Sequence, residues 1–182
     1  PVTIPFTFNF YGTDYTQLVV GSNGRLLFGA GTDFANLNLN RYVDQMHSGN
    51  NAASTNIPLS KTPPSTIYSQ VDSNDFSRNL NLAQLFMGFT DLGFYNPSYY
   101  DDKIKVGTGI YQGVNGLLIT FSQALERTVG TGYQSTLDSQ VLLLPDNRII
   151  IKVNKSSSTK AILGIQNQDA TDFKVPQHFT SG

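Results

Sequence analysis

The chain has 182 residues, 39% hydrophobic and 14% charged, with a net charge of −1 and no cysteine. That length suits a single domain, 1–182, able to bury roughly 70% of its unfolded surface. The missing cysteine excludes disulfides, thiolate metal sites and cysteine nucleophiles. The 12 Lys and Arg are too scattered to form a nucleic-acid or anionic-membrane face. No apolar run reaches the about 18 residues that span a bilayer, so no membrane insertion is expected. No signal peptide is visible, and Pro1 stands at the edge of a strand pattern, as expected of a mature chain or an excised module. Asn, Gln, Ser, Thr and Gly fill much of the composition, as in many extracellular β-proteins.

The first pattern, "TIPFTFNF", alternates: Ile4, Phe6, Phe8 and Phe10 share one face, and Thr3, Thr7 and Asn9 the other. It predicts a half-buried strand. Leu18-Val19-Val20 and Leu26-Leu27-Phe28 then flank Asn23-Gly24, the preferred pair for a two-residue type I′ hairpin. Residues 30–78 lack clear periodicity and read as a long insertion after that hairpin. A short helix around Leu39–Met46 and a short strand at "TIYSQV" are compatible with it.

Strand patterns return at "LAQLFMGFTDLGF", "DKIKVGTGIYQ", "GLLITFSQ", "DSQVLLLP", "RIIIKVN" and "AILGIQN". Asn96-Pro97, Asn115-Gly116, Pro145-Asp146-Asn147 and "NKSSSTK" supply turn signals between them. "FSQALERTV" fits either a helix or a strand running into a loop. The sum is an all-β, antiparallel two-sheet sandwich, jelly-roll-like. Phe6, Phe8, Leu27, Ile119, Val141, Ile149, Ile151 and Ile165 are its expected core.

Little in the chain points to catalysis. His47 and His178 lie far apart, and neither a zinc H-E-x-x-H motif nor a G-x-S-x-G nucleophile elbow occurs. "GTGIYQG" has the wrong spacing for a phosphate loop, and turn glycines account for it better. Glu126 is the sole glutamate, so Asp would have to supply any glycosidase pair. Asp91, Asp101 and Asp102 flank "DLGFYNPSYYDD"; they are the candidate ligands if a calcium ion binds, although solvated loop charges explain them better, since no D-x-[DN]-x-[DN]-G loop is present. Tyr95, Tyr99 and Tyr100 in the same segment are the candidate ligand-binding residues, because tyrosine offers a flat apolar face with a hydroxyl to sugars or proteins. Asn154-Lys155-Ser156 matches the N-glycosylation triplet.

"IPFTFNFYGTDYTQLVVGSNGRLLF" resembles the start of a β-sandwich module of large secreted Bacteroidota surface proteins, gliding-motility adhesins among them. More distantly it is similar to nidogen-like extracellular domains, which also run from "FYG" into an "sNG" hairpin. "LFMGFTDLGF", "DKIKVGTGIYQGVNGLLITFSQA", "SQVLLLPDNRIIIKVN" and "KAILGIQNQDATDF" continue the likeness in order. The resemblance implies an extracellular or cell-surface setting and no enzymatic activity. It carries over no functional residues.

The expected function is therefore a non-catalytic module of an adhesin or surface filament, without a cofactor. Its partners would be other protein modules or copies of itself. The alternative is a carbohydrate-binding module, with glycans as partners. A glycosidase and a viral capsid or spike jelly roll are more distant readings. An edge strand awaiting completion by a neighbour would favour the first reading, and coplanar exposed tyrosines the second.

Overall fold

The computed structural model describes residues 1–21, 24–29, 83–89, 92–93, 103–128, 132–156, 162–168 and 171–174. The expected insertion at 30–78, with its possible helix and strand, lies outside the described residues, as does the Asn96-Pro97 turn.

The described residues form eleven strands: β1 (Val2–Phe10), β2 (Thr13–Gly21), β3 (Arg25–Phe28), β4 (Ala83–Phe89), β5 (Leu92–Gly93), β6 (Ile104–Tyr111), β7 (Val114–Thr128), β8 (Gly132–Leu143), β9 (Ile149–Ser156), β10 (Ile162–Gln166) and β11 (Phe173–Lys174). They make two antiparallel sheets packed face to face, as the alternating patterns predict. The first runs β1-β2-β3-β4-β10-β11; the second runs β5-β7-β8-β9, with β6 also paired to β7. "FSQALERTV" is resolved in favour of strand, since its residues up to Thr128 continue β7.

Ile4, Phe8 and Phe10 point inward from β1, and Phe6 is half-buried against the same cluster. Phe8 and Phe28 stack with ring centroids 5.7 Å apart, and Phe10 lies 4.6 Å from Phe28. From the second sheet, Leu117, Ile119, Phe121, Val141 and Leu143 meet this aromatic row. Leu27, though fully buried, lies on the other face, while Ile149, Ile151 and Ile165 are half-buried at the margin of the core.

β3 is buried on both faces: Leu26 and Phe28 face the second sheet, and Arg25 and Leu27 face away yet are equally enclosed. Gln84 and Gln166, paired across β4 and β10, are enclosed on that same outer side. The unbroken run Leu26-Leu27-Phe28 is the pattern of a strand covered on both sides.

The turns differ from the sequence expectation in an instructive way. At Asn23-Gly24 the pairing Gly21↔Arg25 leaves three residues in the loop, with Gly24 left-handed at φ 79°. This is a three-residue loop closed by a left-handed glycine, not the two-residue type I′ turn. The two-residue turns lie elsewhere. Tyr11 and Gly12 (φ 52° and 82°) join β1 to β2, and Gln112 and Gly113 (φ 51° and 81°) join β6 to β7. Asn115-Gly116 is no turn; it lies inside β7, where a side chain at Gly116 would run into the Leu143 carbonyl of β8. Likewise Gly107 and Gly109 are strand residues of β6 and not turn glycines. Pro145-Asp146-Asn147 does turn, with Asn147 left-handed at φ 67° and its N–H donating to the Leu144 carbonyl at 3.0 Å.

Phe8 has no exposed surface and touches both sheets' contributions to the core, so Phe8→Ala is expected to cost about 3–5 kcal/mol. Chemical denaturation measures this; a loss below about 1 kcal/mol would contradict the assigned register.

Candidate contact surface

β6 differs from the other long strands in what it leaves uncovered. Its register on β7 is continuous over all eight residues, from Ile104↔Phe121 to Tyr111↔Val114. Val106 stands opposite Ile119 and Thr108 opposite Leu117, both core residues, so the even-numbered side chains of β6 belong to the face that looks toward the first sheet. Ile104 reaches the core, but cover then runs out: Val106 is 44% exposed and Ile110 71%. Among the described residues β7 is the strand paired to β6, and its other edge is open. An apolar row on an open strand is a template for another chain.

The end of the sandwich next to this edge is built from three turns. The Asn9 amide N–H donates to Asn147 Oδ1 at 2.8 Å, tying β1 to the β8–β9 turn. Asn9 also donates from Nδ2 to Asp14 Oδ1 at 2.7 Å and accepts the Gly12 N–H at 3.2 Å, which holds the β1–β2 turn. In the β8–β9 turn Arg148 Nε donates to Asp146 Oδ2 at 2.8 Å. Arg148 Nη1 reaches Gln112 Oε1 at 3.2 Å, and the guanidinium lies 5.7 Å from the Tyr111 ring centre. Hydrogen bonding to Arg148 holds the Asp146 carboxyl below the usual range and raises Arg148 in return. These contacts fix the tip of the β6–β7 hairpin, so β6 is presented on a braced element.

Tyr11, at the β1–β2 turn, packs edge-on against Phe10 with centroids 4.8 Å apart. Its enclosed hydroxyl, and secondarily the negative charge of Asp172, push its pKa up to about 12. Asp172 is held by Asn167, whose Oδ1 accepts the Thr171 and Asp172 N–H groups at 2.9 and 3.1 Å.

Asp91, Asp101, Asp102, Tyr95, Tyr99 and Tyr100 all lie outside the described residues, so the structure neither gathers nor separates them. Among the described residues no group of three or more His, Cys, Asp or Glu is placed to hold a metal ion, and no helix is long and apolar enough to cross a membrane. The sequence reading missed Val106 and Ile110. The signal was present in the alternation of "IKVGTGIY", but an open edge becomes visible only once the strand order is known.

A raised tyrosine pKa has a definite consequence. The protonated form is favoured by the fold, so stability from Tyr11 is intact below pH about 10 and is lost as pH rises toward about 12. Denaturation from pH 9 to 12 is expected to show a decline that Tyr11→Phe reduces; an identical decline in both proteins would contradict the assignment.

A family model described as nidogen-related (NIDO related) matches residues 1–57, which include β1, β2 and β3. No curated protein and no solved structure gives a match. The chain's first third is thus similar to a β-rich module type typical of extracellular proteins.

Proposed function

We propose that this chain is a non-catalytic β-sandwich module of an extracellular or cell-surface protein, acting through protein contacts at the open edge of β6. The exposed Val106–Ile110 row on that edge is the observation that carries the reading. An apolar row at a strand edge is costly to leave in water, and soluble proteins ordinarily blunt such edges with proline, charge or a bulge. β1 has such devices in Pro5 and a register shift between Thr3 and Phe8. β6 has neither proline nor bulge, and Lys105 is the one charge within it.

The nidogen-related match of the first strands supports the extracellular setting. The resemblance of several later segments to Bacteroidota surface modules favours an adhesin or filament as the parent. Carbohydrate binding would rest on Tyr95, Tyr99 and Tyr100, and calcium binding on Asp91, Asp101 and Asp102; no described residue adds to either.

The test is the double variant Val106→Lys with Ile110→Lys, compared with the native chain for retention on the cells that make it. Val106 is 44% exposed and Ile110 71%, so melting is expected to change little while retention falls at least tenfold. Unchanged retention with an intact fold would contradict the reading.

A further inference from the structure

We infer that the occupant of the β6 edge is a second copy of this chain, paired antiparallel to the first about a two-fold axis at Thr108. This rests on the reading of β6 as the contact surface and names its partner.

The argument begins with the Gln112-Gly113 turn. A two-residue turn makes its flanking pair, Tyr111 and Val114, a hydrogen-bonded pair. Hydrogen-bonded and non-bonded pairs alternate along an antiparallel ladder. Gly109, Gly107 and Lys105 therefore spend their backbone groups on β7. Val106, Thr108 and Ile110 turn theirs to the open edge. The residues whose N–H and C=O groups no other described strand takes up are thus also those whose apolar side chains lack cover.

Two copies of β6 can bond only with outward-facing residues opposite one another. With Thr108 opposite its own counterpart, Val106 falls opposite the other copy's Ile110, twice over by symmetry. Gly107 falls opposite Gly109, and Lys105 opposite the Tyr111 ring. The segment "VGTGI" is close to palindromic about Thr108, so one strand supplies both halves of a matched pair. Isologous contacts of this kind require such self-complementarity.

Charge agrees with this choice. The two Lys105 side chains stand at opposite ends of the joint, so the like charges are kept apart. Pairing β6 with β9 of another copy would bring Lys105 to a strand carrying Lys152 and Lys155. Pairing with β1 would meet Pro5, which has no N–H to give. The joint of two eight-residue strands is small, so the association is expected to be weak and reversible.

The chain has no cysteine, so Thr108→Cys installs a single thiol on the proposed axis. Opposed residues in a hydrogen-bonded pair have Cα atoms about 5.5 Å apart, within disulfide range. Asn154→Cys, exposed on β9, controls for random collision. The proposal expects the native mass to rise with concentration in sedimentation equilibrium. It expects Thr108→Cys to form a disulfide dimer at least tenfold faster than Asn154→Cys under mild oxidation. Ile110→Lys is expected to stay monomeric with unchanged melting.

A native chain monomeric to about 1 mM, with Thr108→Cys no faster than the control, would overturn the proposal. Self-association that Ile110→Lys leaves intact would overturn it too, by placing the joint elsewhere. If self-pairing fails while the double lysine variant still loses cell retention, the contact-module reading stands and the edge serves a different chain.

Discussion

Strand side chains repeat every two residues, so whatever fixes the register of a strand also fixes which of its faces is buried. In this protein two left-handed residue pairs, Tyr11-Gly12 and Gln112-Gly113, set that phase at the two hairpins that begin the two sheets' principal meanders. With Phe10 paired to Thr13, Phe8 meets Tyr15 and the aromatic row of β1 turns inward onto Phe28. With Tyr111 paired to Val114, Ile119 and Phe121 turn inward from β7, and Val106 and Ile110 are carried to the uncovered part of the same face. One constraint therefore produces both the core and the exposed row. Tyrosine and glutamine are not the residues best suited to a positive φ. Tyr11 is held there by its packing on Phe10, and Gln112 by the contact of its side chain with Arg148.

The second sheet shows how local irregularity is accommodated within the same scheme. In β7, Phe121 pairs with Ser139 and Ala124 with Leu137, so two residues of β7 oppose one of β8. Gln123 takes a left-handed φ of 52° within this bulge, and its N–H donates to the Asp138 carboxylate. Its side chain accepts from Lys103 Nζ at 2.7 Å, next to the start of β6. The bulge bends β7 without losing the inward phase, because Phe121, Ala124 and Leu137 all remain in the core.

Much of this was legible in the sequence because it is local. The alternation of Ile4, Phe8 and Phe10, the strands around Pro145-Asp146-Asn147 and the strand at "AILGIQN" depend on neighbours a few residues apart. Three features were not legible because they depend on distant parts of the chain. Gly116 reads as a turn glycine, but it is needed where β8 approaches β7. Arg25 stands beside the Asn23-Gly24 loop, and nothing local marks it as fully enclosed. Ile110 continues the alternation of Ile104 and Val106, yet it is the most exposed large hydrophobic residue among those described. The candidate tyrosines and aspartates were chosen by composition, and the described structure does not reach them. The contact edge was missed because sequence periodicity gives the face of a strand and not its place in the sheet.

The account turns on the claim that β6 offers its outward backbone groups, at Val106, Thr108 and Ile110, to another chain. Residue-resolved amide hydrogen exchange addresses it directly. At low concentration, Lys105, Gly107 and Gly109 are expected to be protected by β7 while Val106, Thr108 and Ile110 exchange freely. At high concentration, protection is expected to appear at those three residues alone. Protection of all six at every concentration, or of the three odd-numbered residues alone throughout, would contradict the claim.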